Sequence, residues 1–177
     1  MYEQQQARVF GLEILHMADA DVLPYDYDLY GKEIVSYLED AKSRAAKADK
    51  ATPKTGEVSR PILNLDFTAA FGAAHRFAIA GTAIRAVQAD AAADAATLNK
   101  TLREAESAFL NSAGLPKRAW YKHLIYAPGE FTGYAAVVIP GVNEAIDVPD
   151  GARAAGQLAL LTAALNRSAA ILESRGR

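Results

Sequence analysis

Gly114-Leu-Pro-Lys-Arg-Ala-Trp-Tyr-Lys-His-Leu-Ile-Tyr-Ala-Pro-Gly-Glu-Phe-Thr-Gly-Tyr-Ala-Ala-Val-Val-Ile-Pro-Gly-Val142 holds the only Trp, three of the eight Tyr and three of the seven Pro of a 177-residue chain, with no sustained helical period. A loop of this length in a compact domain is uncommon and is either functional or disordered. This one is too apolar and aromatic to be a disordered tail. It therefore predicts an ordered loop, extending over 114–148, that separates a helical block from one last helix. The alternation in Trp120 to Tyr126 allows a short extended segment, but no partner strand with a hairpin signal follows, so no sheet is predicted.

Outward from the loop, apolar residues recur at alternating steps of three and four, the mark of one buried helical stripe. Before it, Leu98, Leu102, Ala105 and Phe109 form the inner face of a helix that Gly114 and Pro116 are expected to end. Further upstream, a helix starting at Asp66 carries Phe67, Ala70, Ala74, Phe77, Gly81 and Ile84, and the stretch Ala89 to Ala96 holds the turn between the two. Asp26 is placed to cap a helix with the stripe Tyr27, Tyr30, Ile34, Tyr37 or Leu38, and Ala41, fading near Ala48. From Gln4 to Ala20, Val9, Phe10, Leu12, Ile14, Leu15 and Met17 leave a thin polar edge, so this first helix is expected to be largely buried, and Pro24 breaks it. After the loop, Asp150 caps a last helix with the stripe Ala155, Leu158, Thr162, Leu165, Ala169 and Leu172. The segment 47–61 is rich in Lys, Thr, Pro and Gly and reads as a flexible linker. The sum is an all-α fold: one domain over 1–177, an antiparallel bundle of four to five helices with one long ordered loop before the last.

Nineteen basic residues nearly balance twenty-one acidic ones, which argues against nucleic acid or an anionic membrane as partner. With no Cys, disulfide scaffolds, thiol catalysis and Cys-based zinc sites are excluded together. No run is long and apolar enough to span a bilayer, and the first residues lack the pattern of a signal peptide, so the chain itself gives no address. The three His residues, His16, His75 and His123, stand on separate segments and read as ordinary surface or hydrogen-bonded residues. Asp19, Asp21, Asp26 and Asp28 gather carboxylates where calcium or magnesium would want them, yet caps and solvated acids explain them better. Gly129, Gly133 and Gly141 are too far apart for a phosphate cradle and read as turn residues, and the sequon Asn166-Arg167-Ser168 falls inside a helical stripe. These residues alone make no enzyme, no metal site and no cofactor site.

Gly-Leu-Pro at Gly114, the basic-aromatic run after it, Tyr126-Ala-Pro, Tyr134-Ala and Pro140-Gly occur in the order found in the glutamate carboxypeptidase and transferrin receptor family, which the loop resembles. The likeness extends to Leu23-Pro-Tyr-Asp26 and to Leu65-Asp-Phe-Thr-Ala-Ala-Phe71, and so covers nearly the whole chain. In that family this region is the C-terminal helical domain, the transferrin receptor-like dimerisation domain, which follows a zinc peptidase domain. The resemblance thus implies a catalytically silent piece of a larger zinc peptidase that is secreted, periplasmic or membrane-anchored, with zinc bound upstream of anything in this chain. It implies two partners, a second copy and the parent's peptidase domain, and no membrane contact by this domain.

In the carboxypeptidases of the family a Lys-Tyr pair in the loop binds the substrate's terminal carboxylate. Tyr134 matches the Tyr, and Gly133 stands where the Lys would be, which removes the charge-assisted part of that contact. Tyr134 either reaches substrate in the parent or packs under the loop with its hydroxyl satisfied locally. Trp120, Tyr121 and Tyr126 are expected to anchor the loop by packing, and Lys117, Arg118 and Lys122 to form a solvated basic rim. Three readings follow: a homodimerisation domain, a loop that completes the parent's substrate pocket, and a receptor-like protein-binding module without a peptidase role.

Overall fold

The computed structural model describes residues 2–50, 63–90, 93–131, 133 and 135–175. In chain order the elements are α1 Tyr2–Asp19, α2 Tyr27–Lys50, α3 Thr68–Gln88, α4 Ala95–Ser107, β1 Tyr126–Pro128, β2 Ala136–Val138, α5 Pro140–Asp147 and α6 Gly151–Glu173. The fold is all-α, with α3 at its centre between α2 and α6, and with α4 and α5 against α6. Among the described residues no helix is long and apolar enough to cross a membrane.

The centre forms where the apolar period said it would. Phe67, Ala70, Ala74, Phe77, Gly81 and Ile84 are all buried, and so are Ile34, Leu38 and Ala41 of α2 and Leu98, Leu102, Ala105 and Phe109 around α4. Gly31 and Gly81 let α2 and α3 touch backbone to backbone. A Cβ at Gly81 would lie 2.4 Å from the Tyr27 carbonyl carbon, and one at Gly31 would lie 2.6 Å from Ala78 Cα. These pairings, Tyr27 with Gly81 and Gly31 with Ala78, make α2 and α3 antiparallel. Asp26 accepts from Leu29 N–H at 3.0 Å, Asp94 from Ala96 and Thr97, and Asp150 from Arg153 N–H, so three helices start on side-chain caps.

Four expectations are corrected. The first concerns α1, which has no buried residue: Val9, Phe10, Leu12, Ile14 and Leu15 all face outward. Its pattern is that of a helix covered on most sides, but none of the other elements packs extensively on it. The second concerns α4, which ends at Ser107 rather than near Gly114, because the chain there turns into loop hydrogen bonds. Gly114 serves the loop instead, at φ 75°, with the Ala119 carbonyl oxygen 2.1 Å from where a Cβ would stand.

The third is a small antiparallel sheet where none was expected, pairing Tyr126 with Val138, Ala127 with Val137 and Pro128 with Ala136. Its strands are three residues each, too short to show alternation. The fourth is α5, which makes six helices where four to five were expected. Pro140 at its first turn and Ile139 at φ 37° before it resemble a turn in sequence, and every residue from Pro140 to Ile146 is buried, so no polar face marks the period. In α6 the buried stripe is Ala154, Leu158, Leu161, Ala164, Leu165, Ser168, Ala169 and Leu172, leaving the expected Ala155 exposed. Lys47 to Lys50 belong to α2, and the rest of the expected linker, from 51 to 61, lies outside the described residues.

Candidate functional site

After α4 the chain closes on itself before it projects. Asn111 N–H donates to Lys122 O at 2.9 Å, Leu115 N–H to Tyr121 O at 2.8 Å and Leu124 N–H to Phe109 O at 3.1 Å. Buried Leu115 plugs this turn, and β1 and β2 then carry the chain out and back as a hairpin.

Five charged side chains hold the base of the hairpin. Arg118 and Glu144 are both buried and pair at 2.7 Å. Glu130, whose carboxylate is almost wholly covered, meets Lys117 at 2.5 Å and Arg153 at 2.7 Å. The Glu130 N–H donates to Glu144 Oε1 at 2.8 Å, which joins the two clusters through one carboxylate oxygen. Lys117 first, then Arg153, hold the Glu130 carboxyl below the usual carboxylate range against the opposing effect of burial. Arg118 Nε and Arg153 Nε find no hydrogen-bond acceptor among the described residues. On α5, Asn143 donates to Val138 O at 2.8 Å and accepts from Arg44 of α2 at 2.7 Å, while Arg44 also pairs with Asp147.

Above this base, Lys117, Arg118, Trp120, Phe131 and Gly133 bound an open cleft of about 590 Å³. Trp120 is 73% exposed and Phe131 71%, and the Lys117 ammonium stands 5.6 Å from the Phe131 ring centre. The arrangement is a stiffened hairpin that presents aromatic surface and one cation outward, suited to contact with another surface.

The expected site residues divide accordingly. Tyr134 lies outside the described residues; its neighbour Gly133 takes φ 61°, a backbone that a Lys would adopt only with strain. Tyr121 and Tyr126 pack against the core as expected. Trp120 does not, because the closed turn carries it outward. Arg118 leaves the expected basic rim for the interior, drawn by Glu144, whereas Lys122 stays exposed. Glu130, Glu144 and Arg153 were not singled out in the sequence; one signal was a Glu inside an otherwise apolar segment, Ile139 to Ile146. The four acids near α2 are not gathered around a common point: Asp26 pairs with Arg85, Asp28 with Lys32 and Thr82, and Asp19 and Asp21 are exposed. The zinc implied for a parent peptidase finds no ligand set here, since among the described residues no group of three or more His, Cys, Asp or Glu is placed to hold a metal ion.

Against known proteins, residues 66–173 match the transferrin receptor-like dimerisation domain. The chain is 29% identical over 170 residues to a probable glutamate carboxypeptidase of Arthroderma benhamiae, covering 93% of this chain and 22% of that protein. It is 33% identical over 144 residues to a probable glutamate carboxypeptidase of Arabidopsis thaliana, covering 80% of this chain and 19% of the relative. The chain thus spans about a fifth of the length of the curated relatives it matches. With the matched region running from the start of α3 to the end of α6, the chain belongs to the transferrin receptor-like dimerisation domain family.

Proposed function

We propose that this chain is the non-catalytic homodimerisation domain of a glutamate carboxypeptidase-like zinc peptidase, and that its 114–148 loop completes the substrate pocket of that parent. The observation that carries the dimer is the outer face of α3 and α6, both within the matched region. Ala69 on α3 and Ala155, Ala159 and Ala163 on α6 border a shallow groove of about 530 Å³. Ile79 on α3 is 71% exposed and Leu160 on α6 also faces outward. Small side chains along this groove let a second pair of helices approach closely, and Ile79 and Leu160 add exposed apolar surface to the same two helices. Ile79→Glu is expected to shift a dimer to monomer in sedimentation velocity with unchanged helical content; a variant that sediments like the parent chain contradicts this face.

The relatives' length supports a further domain next to this one, and α1 offers the surface for it. α1 lies outside the matched region, and its large apolar side chains have no cover among the described residues. The exposed Trp120 and Phe131 at the hairpin support a loop that reaches a neighbouring domain. For Tyr134 the test is kinetic: in the full-length parent, Tyr134→Phe is expected to raise KM for peptide substrates more than it lowers kcat. Unchanged constants would make the loop structural only.

A further inference from the structure

A second concavity, of about 470 Å³, opens where the start of α2, the end of α4 and the loop meet. Five tyrosines line it, Tyr25, Tyr27, Tyr30, Tyr121 and Tyr126, and Glu106 stands among them with His123. The rings come from two separate parts of the chain, residues 25–30 and 121–126. Tyr30 and Tyr126 lie nearly parallel with centres 6.2 Å apart, and Tyr25 stacks on Tyr27 at 5.6 Å. His123 Nε2 lies 3.0 Å from Glu106 Oε1, and the Glu106 side chain keeps 34% of its surface open.

Charge sets the preference of the cleft. No Lys or Arg lines it. Asp26 at its edge is already met by Arg85 at 2.8 Å, whereas among the described residues the only basic group reaching Glu106 is the His123 ring. Burial, and after it the Glu106 charge, pushes the Tyr27 and Tyr30 hydroxyls well above the ordinary tyrosine range, so both stay neutral. The Tyr27 hydroxyl is tied to Leu102 O at 2.5 Å. The cavity is therefore lined by aromatic side chains, whose π faces are negative, around the Glu106 carboxylate, with Asp26 held by Arg85 at its edge.

We propose that this cleft binds an organic cation, an ammonium or guanidinium group, held by the tyrosine faces and the Glu106 carboxylate. Ring faces attract such cations, and a carboxylate within the same enclosure selects them over neutral molecules of equal shape. The volume lies in the range of small-ligand sites. A bare metal ion does not fit, because Asp26 is taken by Arg85 and among the described residues no group of three or more metal-binding side chains is placed to hold one.

The test is calorimetric titration of the full chain with N-acetyl-arginine amide and tetramethylammonium, and with citrulline amide, N-acetylated likewise so that it is uncharged, as the near-isostere of the arginine compound. At least one cation is expected to bind saturably and at least tenfold tighter than the citrulline compound. Glu106→Gln, checked for native helical content, is expected to weaken it at least fivefold, and Tyr121→Leu, on a separate element, to weaken it as well. The proposal is overturned if the citrulline compound binds as well as the cations, if no cation binds at millimolar concentration, or if the natively folded Glu106→Gln chain retains full affinity.

Discussion

Arg118 and Glu144 show why single residues decide the shape of the loop. Either charge alone in that position would be costly to bury, and removing one partner of a buried pair costs about 3–5 kcal/mol. Together, with the Glu130 backbone as a further donor, they fix where the hairpin leaves the core. Glu130 adds a dependence on pH. Its carboxyl titrates lower in the folded chain than the ordinary value of about 4.3, because Lys117 and Arg153 favour the charged form. A depressed folded value contributes stability that is present above the unfolded value and lost as pH falls through the folded one. Fluorescence of the sole tryptophan, Trp120, which borders the same cleft, is therefore expected to report loosening of the hairpin below about pH 4. In Glu130→Gln the acid transition in this signal should be missing; an identical transition in both proteins would show that another group is responsible.

At the scale of elements, helices that bury one face were legible, α1 was legible as a helix but not in its exposure, and α5 was not legible. The stripes of α2, α3 and α4 are visible because each has a wet side. Buried α5 offers no wet side to read, and α1 shows a core-like pattern whose cover the described residues do not provide. The hairpin escaped because its two strands pair across a tip with no two-residue turn signal. The charge cluster was legible only in part: Lys117 and Arg118 were named for their charge, but their partners Glu130 and Glu144 lie 13 and 26 residues further on and meet them only through the fold. Caps, by contrast, are local, and Asp150 was read directly from the sequence. Asp150→Ala removes the acceptor for Arg153 N–H and should cost about 1 kcal/mol, or roughly 2–4 °C in Tm by thermal scanning. A change within error would mean that α6 is held by its packing on α3 alone.

For the whole molecule, outward apolar side chains remain after the core is formed, among them those of α1, Trp120 and Phe131 at the hairpin, Ile79 on α3 and Leu160 on α6. Each exposed large apolar side chain forgoes about 1.5–3 kcal/mol of burial, so surfaces of this kind are normally covered in the working assembly. In the proposed assembly a second copy covers α3 and α6, and the parent's neighbouring domain covers α1. An obligate homodimer commonly buries more than about 2,000 Å² in total. The most direct measurement is the molar mass of the purified chain by light scattering across a concentration series. A mass that holds at twice 18.9 kDa as the chain is diluted is the predicted result, whereas a mass of 18.9 kDa at every concentration would contradict a self-sufficient dimerisation domain.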